Sequence, residues 1–304
     1  MGSGCALACS ADGTLPGLLP RVRSYVYRGY TRLPHERVAQ WRARPAGRAV
    51  VAGLQRLLGA GPVEVSGGLL AGARLDSRAM ALTHVQAYGL VRGALEPTVQ
   101  EALRRHVAPG ATVYDIGANI GFFSLLAARL AGPDGAVHAF EPLPAAVDAL
   151  RGHVALNDAR TVTVHEAAVG ARSGRTQLMA VGDGSWSHLA DRGRHPETWD
   201  VLDVDIVTVD ELVARGLPAP DVVKIDVEGA EIDVLDGMAE TIREHSPVVL
   251  CELHGSNAEF LARVEAMGYV AQNLDGPEPL AEAGAVHALA MRADRVEYPP
   301  HTDG

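Results

Sequence analysis

Cysteine is scarce in this chain. Its 304 residues hold three, Cys5, Cys9 and Cys251, and none stands in a Cys-x-x-Cys pair with histidines at finger spacing. Neither a disulfide framework nor a structural zinc site is therefore supported. Cys251 falls inside an apolar run, where a buried, inert thiol is expected. Long hydrophobic runs are also missing, because none approaches the roughly 20 apolar residues of a membrane span. The first twenty residues lack a basic segment ahead of an apolar one. A cytoplasmic protein with no membrane partner is expected. Positive charge is in deficit too: 27 Lys and Arg face 37 Asp and Glu, a formal net charge of -10. The field around such a chain repels polyphosphate, so nucleic acid is not an expected partner. Internal repeats and low-complexity tracts are absent.

The residues present are 47 % apolar, enough for a full-sized core in one large or two small domains. Residues 1–62 read as an N-terminal helical extension, partly flexible, punctuated by Pro34, Pro45 and Gly59 to Pro62. Its arginines, from Arg21 to Arg56, are spread among apolar residues as on the solvated face of amphipathic helices. The extension is also a candidate homodimer contact. Residues 63–304 form the main domain, with its core at 109–295. Short alternating segments at 63–88 precede a helical stretch at 90–107, with Pro97 a plausible first-turn residue.

Beyond Pro109 and Gly110, apolar strands alternate with amphipathic helices, the signature of an α/β fold with a mostly parallel sheet covered on both faces. Strands are expected at 112–116, 136–141, 161–167, 221–226 and 248–253, with weaker ones at 269–274 and 287–292. Helices are expected at 122–131, 145–157, 230–245 and 258–267. The long segment 182–205, with Ser185, Trp186, Ser187, His188 and Trp199, is either a lid facing a ligand or an extra hairpin on the sheet edge.

The first strand ends in Asp115 and runs through Gly117-Ala-Asn119-Ile-Gly121 into a helix, so backbone N–H groups there are expected to face a ligand. Gly117 and Gly121 let a ligand approach the main chain, and Asn119 tolerates a left-handed turn. The Gly-x-Gly-x-x-Gly spacing of a dinucleotide site is missing, which disfavours a nicotinamide-dependent oxidoreductase. Asp115 adds a negative charge that suits an ammonium or sulfonium ligand, and S-adenosylmethionine carries both. The second strand ends in Glu141-Pro142, where a carboxylate can accept bonds from ribose hydroxyls or else cap the next helix. Residues 166–169, Ala167 among them, would lie beside the adenine. Asn157 and Asp158 are better read as a turn.

Ligands of open sheets bind beyond the carboxyl ends of the strands. Asp226 and Glu228 end the fourth strand, and Glu252 and His254 the fifth. Lys224 shares a face with Asp226 and is expected to pair with it. His254 is the one histidine read as ending a strand at the site, and its ordinary pKa suits a general base. Asp226, His254 and Glu228 are thus the catalytic candidates. No metal is expected, although Asp226, Glu252 and His254 offer donors for a magnesium ion.

These segments resemble the FkbM family of S-adenosylmethionine-dependent methyltransferases, from about Tyr88 to His254. The resemblance rests on Tyr88 to Glu96, Val113 to Phe123, Val137 to Pro142, Asn157 with Ala167 to Gly170, Lys224 to Glu231, and Glu252. It implies the doubly wound, Rossmann-like class I methyltransferase sheet with an antiparallel last strand near one edge. It also implies Glu96 at the cofactor, S-adenosylhomocysteine as product, and methyl transfer to oxygen on a small secondary metabolite such as a polyketide, glycoside or sugar. Transfer to nitrogen or carbon, and a non-catalytic module of the same fold, remain the alternatives.

Overall fold

The computed structural model of the chain describes residues 61–77, 79, 87–181, 187–189 and 199–295. The arginine-bearing helices expected before Gly61, and the homodimer contact assigned to them, lie outside the described residues. The chain divides into two compact units, Met1–Leu95 and Glu96–Gly304. In the first, β1 (Pro62–Glu64) pairs antiparallel with β2 (Arg74–Asp76), and helix α1 (Ala87–Arg92) follows. The Ser66 hydroxyl donates to the Val91 carbonyl at 3.0 Å, which ties the segment after β1 to this helix.

The second unit opens with α2 (Pro97–His106), then alternates β3 (Thr112–Ile116), α3 (Phe122–Ala131), β4 (Ala136–Phe140), α4 (Pro144–Leu156) and β5 (Val162–His165). A small sheet of β6 (Ala168–Val169), β7 (Gly174–Val181), β8 (Ser187–Leu189) and β9 (Trp199–Val207) interrupts the alternation. It resumes with α5 (Val209–Ala214), β10 (Val222–Ile225), α6 (Glu231–Asp236), α7 (Ala239–His245), β11 (Val248–Leu253), α8 (Asn257–Ala266), β12 (Tyr269–Asn273) and β13 (Val286–Arg292).

The main sheet has the order β12-β13-β11-β10-β3-β4-β5. β13 runs antiparallel to both neighbours, and every other pair from β11 to β5 is parallel. This is the α/β, doubly wound sheet expected, with its antiparallel strand inserted one place from the edge. Strands buried on both faces are mostly apolar, and all four residues of β10 are buried, with Lys224 the one charged residue beside Val222, Val223 and Ile225. The core on one side gathers Tyr114, Phe140, Ile225, Leu235, Val249, Leu253 and Phe260. Cys251 is among them, and burial pushes its thiol well up, in accord with the inert cysteine expected.

Two expected helices divide and one expected strand is cut short. The helix at 90–107 breaks after Arg92, because Gly93 (φ 66) and Glu96 (φ 41) are left-handed and Pro97 starts a new helix instead of continuing the old one. The helix at 230–245 splits at Gly237 and Met238. The strand at 161–167 ends at His165, and Ala168 and Val169 pair with Ile206 and Val207 in the small sheet. β7 and α5 were not expected at all. Thr208 caps α5 by accepting from the Glu211 amide at 3.1 Å, a Thr-x-x-Glu start legible in the sequence. Among the described residues no helix is long and apolar enough to cross a membrane.

Candidate active site

The carboxyl end of β3 is tightly organised. Asp115 is buried and accepts from the Ser124 hydroxyl at 2.6 Å. Its other oxygen, Oδ1, lies 3.8 Å from Lys224 Nζ and has no hydrogen-bond partner. The parallel register of β3 and β10 sets Lys224 directly opposite Asp115. Gly117 (φ 79) follows, and a Cβ there would overlap the carbonyl oxygen of Asp226. Only glycine lets the ends of β3 and β10 approach this closely. Asn119 is left-handed (φ 49), as expected of it.

Four of the amides expected to face a ligand are bonded within the fold instead. Gly117 and Ala118 both donate to the Phe140 carbonyl at 3.0 Å, Gly121 donates to Ala118, and Asn119 donates to Glu141 Oε2 at 2.8 Å. These four N–H groups close the turn on itself and on the end of β4 and make no anion cradle.

Glu141 serves that closure. Oε2 accepts from Asn119 and Oε1 from the Leu143 amide at 2.9 Å, so the carboxylate fixes both the glycine turn and the approach to α4. Burial pushes its pKa up to about 7, against the pull of those two amide bonds and with Asp226 and Asp115 adding to the rise. Each oxygen keeps a second lone pair. Ala167 is buried and Pro142 partly exposed, whereas Glu166 is exposed and pairs with Arg151 at 3.1 Å. Asn157 and Asp158 form the turn expected: Asn157 Nδ2 donates to the His153 carbonyl, and Asp158 has φ 50.

Beyond β10, β11 and β13 lies a network of carboxylates and imidazoles. Lys224 Nζ is 3.1 Å from Asp226 Oδ2, the pair expected, and 5.0 Å over the Phe123 ring. Burial alone would lower the lysine pKa, but Asp226, Asp115 and Glu96 outweigh it and hold the group charged. Burial raises Asp226, Lys224 pulls it back, and Glu252 and Glu96 push it further up. Glu228, left-handed at φ 48, is also raised, chiefly by burial. Its Oε2 lies 3.3 Å from His254 Nε2.

The ordinary pKa expected for His254 is not found. Its Nδ1 bonds Glu231 Oε1 at 2.9 Å, and its Nε2 faces Glu252 Oε1 at 3.6 Å as well as Glu228. With the hydrogen bond to Glu231 and the nearby Glu252 carboxylate leading, these groups raise the imidazole to about 10, which favours the cation at neutral pH. Nor is it the single histidine at the site. Antiparallel pairing brings His287, near the start of β13, opposite Glu252 near the end of β11. His287 Nε2 lies 3.7 Å from Glu252 Oε2 and 3.4 Å from Glu96 Oε2. An antiparallel strand enters the sheet where its parallel neighbours leave it. That was the sequence signal for His287, since the last strand was expected to begin at this residue. Glu96, implied at the cofactor, accordingly stands with Glu252 and His287.

Among the described residues two groups of three could each converge on a cation: Glu96, Glu252 and His287, and Asp226, Glu228 and His254. Glu252 thus groups with Glu96 and His287, whereas the expected set joined it to Asp226 and His254. In the segment 182–205, β9 pairs antiparallel with β7 from Trp199 to Ile206, and Leu178, Leu202, Val204 and Ile206 pack with Leu143, Ala146 and Ala230. The described part is paired as strands of the small separate sheet and is not added to the edge of the main one. Ser185, Trp186 and residues 190–198 lie outside the described residues.

Residues 115–277 match the Methyltransferase FkbM domain. The chain is 28 % identical over 214 residues to 31-O-demethyl-FK506 methyltransferase FkbM of Streptomyces tacrolimicus, covering 60 % of this chain and 81 % of that one. It is 34 % identical over 146 residues to hexuronic acid methyltransferase AglP of Haloferax volcanii, covering 47 % and 55 %. The crystal structure of methyltransferase FkbM from Methylobacillus flagellatus aligns with 70 % of this chain and 56 % of its own at 16 % identity and a TM-score of 0.41. With the domain match spanning more than half of its length, the chain belongs to the FkbM family of S-adenosylmethionine-dependent methyltransferases.

Proposed function

We propose that the chain is an O-methyltransferase acting on a hydroxyl of a small molecule such as a polyketide, glycoside or sugar. The residues around β3 and β4 fit S-adenosylmethionine. Asp115 Oδ1 is buried without a hydrogen-bond partner and suits an ammonium donor, while Glu141, oriented by two amides, keeps lone pairs for ribose hydroxyls. Gly117, Asn119 and Gly121 shape the turn, and Pro142, Ala167 and Asp226 border the same end of the sheet. When bound, the cofactor supplies a methyl group on a positively charged sulfur. The turn amides are committed internally, which disfavours a dinucleotide pyrophosphate.

One observation carries the reading: Glu228 Oε2 stands 3.3 Å from Nε2 of His254, whose ring Glu231 fixes through Nδ1, and burial raises the Glu228 carboxyl toward the range of a base. In this reading Glu228 accepts the hydroxyl proton. His254, fixed by Glu231, orients it, and Asp226 is kept in place by Lys224. The named substrates of the relatives, 31-O-demethyl-FK506 and hexuronic acid, support an acceptor of this class.

The test uses S-adenosylmethionine carrying a labelled methyl group, a panel of hydroxylated small molecules, and determination of the linkage in the product. A methyl ether is expected, and a methyl on nitrogen or carbon would reject the assignment to oxygen. Glu228→Gln should lose about 10²- to 10⁴-fold in kcat with cofactor affinity unchanged. An unaltered kcat would remove Glu228 from the mechanism.

A further inference from the structure

The start of α3, from Phe122 to Ala128, is buried throughout and carries a single polar side chain, Ser124, which is fully buried. A buried hydroxyl is destabilising unless it is bonded, and a serine inside a helix ordinarily bonds the carbonyl four residues back. Ser124 instead reaches nine residues back and donates to Asp115 Oδ2 at 2.6 Å, a short bond of the charge-assisted kind.

Asp115 is itself only 1 % exposed. On its other side Lys224 Nζ lies 3.8 Å from Oδ1, too far for a hydrogen bond. The lysine is held instead at 3.1 Å from Asp226 Oδ2 and 5.0 Å over the ring of Phe123, the residue before Ser124. Consecutive residues of α3 thus contact the aspartate and the lysine opposite it, and the two charges stop just short of bonding. Closing the gap by about 1 Å would give a charge-assisted bond of ordinary length. Oδ1 is left buried with no hydrogen-bond partner. An aspartate with a structural role alone would be more stable with both oxygens bonded.

We propose that Ser124 is a positioning residue for the cofactor: by tethering Oδ2 it keeps Asp115 from closing onto Lys224, so that Oδ1 remains for the amino group of S-adenosylmethionine. A hydroxyl suits this task because it occupies one oxygen without bringing a charge. A cation in its place would neutralise Asp115 and remove its attraction for an ammonium group. Without the hydroxyl, Oδ2 loses its donor against an apolar stretch of helix, and Lys224 is the cation at hand. Pairing there satisfies the buried carboxylate and takes Oδ1 from the ligand. Ser124 touches no ligand and acts through Asp115.

The proposal rests on the cofactor reading above. The experiment is calorimetric titration of the full chain with S-adenosylhomocysteine and with its deamino analogue, in which hydrogen replaces the amino group. The wild-type chain should bind the amino form about ten- to hundredfold more tightly, the range of one hydrogen bond to a charged group. Ser124→Ala should lose most of that preference, its affinity for S-adenosylhomocysteine falling to near that for the analogue, while affinity for the analogue stays at the wild-type value. Ser124→Cys, similar in size but a weaker donor, should keep part of the preference. A structural role alone would weaken both ligands together, so parallel losses in Ser124→Ala would overturn the proposal. A preference unchanged in both variants, or absent from the wild type, would overturn it as well. Failure of S-adenosylhomocysteine to bind the folded wild-type chain would strike the cofactor reading instead, and the wild-type titration alone reveals it.

Discussion

Replacing Gly117 with alanine isolates the close approach of β3 and β10 on which the site depends. The substitution adds one methyl group at φ 79, where it overlaps the Asp226 carbonyl oxygen. Two terms follow. Left-handed backbone costs a non-glycine residue about 1–2 kcal/mol, and overpacking against an immobile neighbour costs about 1–3 kcal/mol more. Reduced freedom of the unfolded chain returns about 0.4–1 kcal/mol. Gly110 supplies the control, since its φ is 84 but an added Cβ meets nothing within 4 Å. Gly110→Ala therefore carries only the backbone and unfolded-chain terms. Gly117→Ala should be the less stable variant by about 1–3 kcal/mol, the overpacking term alone. Urea unfolding of both, at equal slope, measures the difference directly. Equal midpoints would show that the two strand ends are not in contact as described.

Lys224→Met leaves Asp115 and Asp226 without their counter-charge, and thermal unfolding should report a loss of about 3–5 kcal/mol; a loss below about 1 kcal/mol would mean that water reaches them. Cofactor affinity should depend on pH through Glu141, whose pKa stands near 7. Ribose hydroxyls donate to the carboxylate, so binding needs the deprotonated form. Affinity should be level above pH 7 and fall below it, by at most about tenfold per pH unit for one proton. Calorimetry across that range checks this, and a flat profile would exclude Glu141 as the ribose ligand. Tyr269→Phe removes a donor to the Pro247 carbonyl, held at 2.8 Å, and should cost about 1–3 kcal/mol in urea unfolding.

The sheet was legible because its signals are local. Apolar runs such as Val248 to Cys251 report strands buried on both faces, and glycine turns mark where strands pass into helices. The pairing of Lys224 with Asp226 followed from strand alternation alone. Long-range register was not legible. The sequence placed His254 at the site but gave no means of seeing Glu231 and Glu252 converge on it, and that convergence favours the cation over the base expected. His287 is 35 positions from Glu252 in the chain and becomes its neighbour only through antiparallel pairing. The turn amides were misread for a similar reason. Their acceptors, Phe140 and Glu141, belong to the next strand and its end, so the free N–H groups of an isolated turn are already bonded in the fold.

The most direct test of the account is calorimetric titration of the full chain with S-adenosylhomocysteine and, in parallel, with NAD. One equivalent of S-adenosylhomocysteine should bind, with affinity lost in Glu141→Ala, while NAD gives no heat of binding. Because Glu141 also anchors Asn119 and Leu143, circular dichroism of the variant accompanies the titration. Absence of S-adenosylhomocysteine binding to the folded wild-type chain, or binding of NAD in its place, would contradict the cofactor site described.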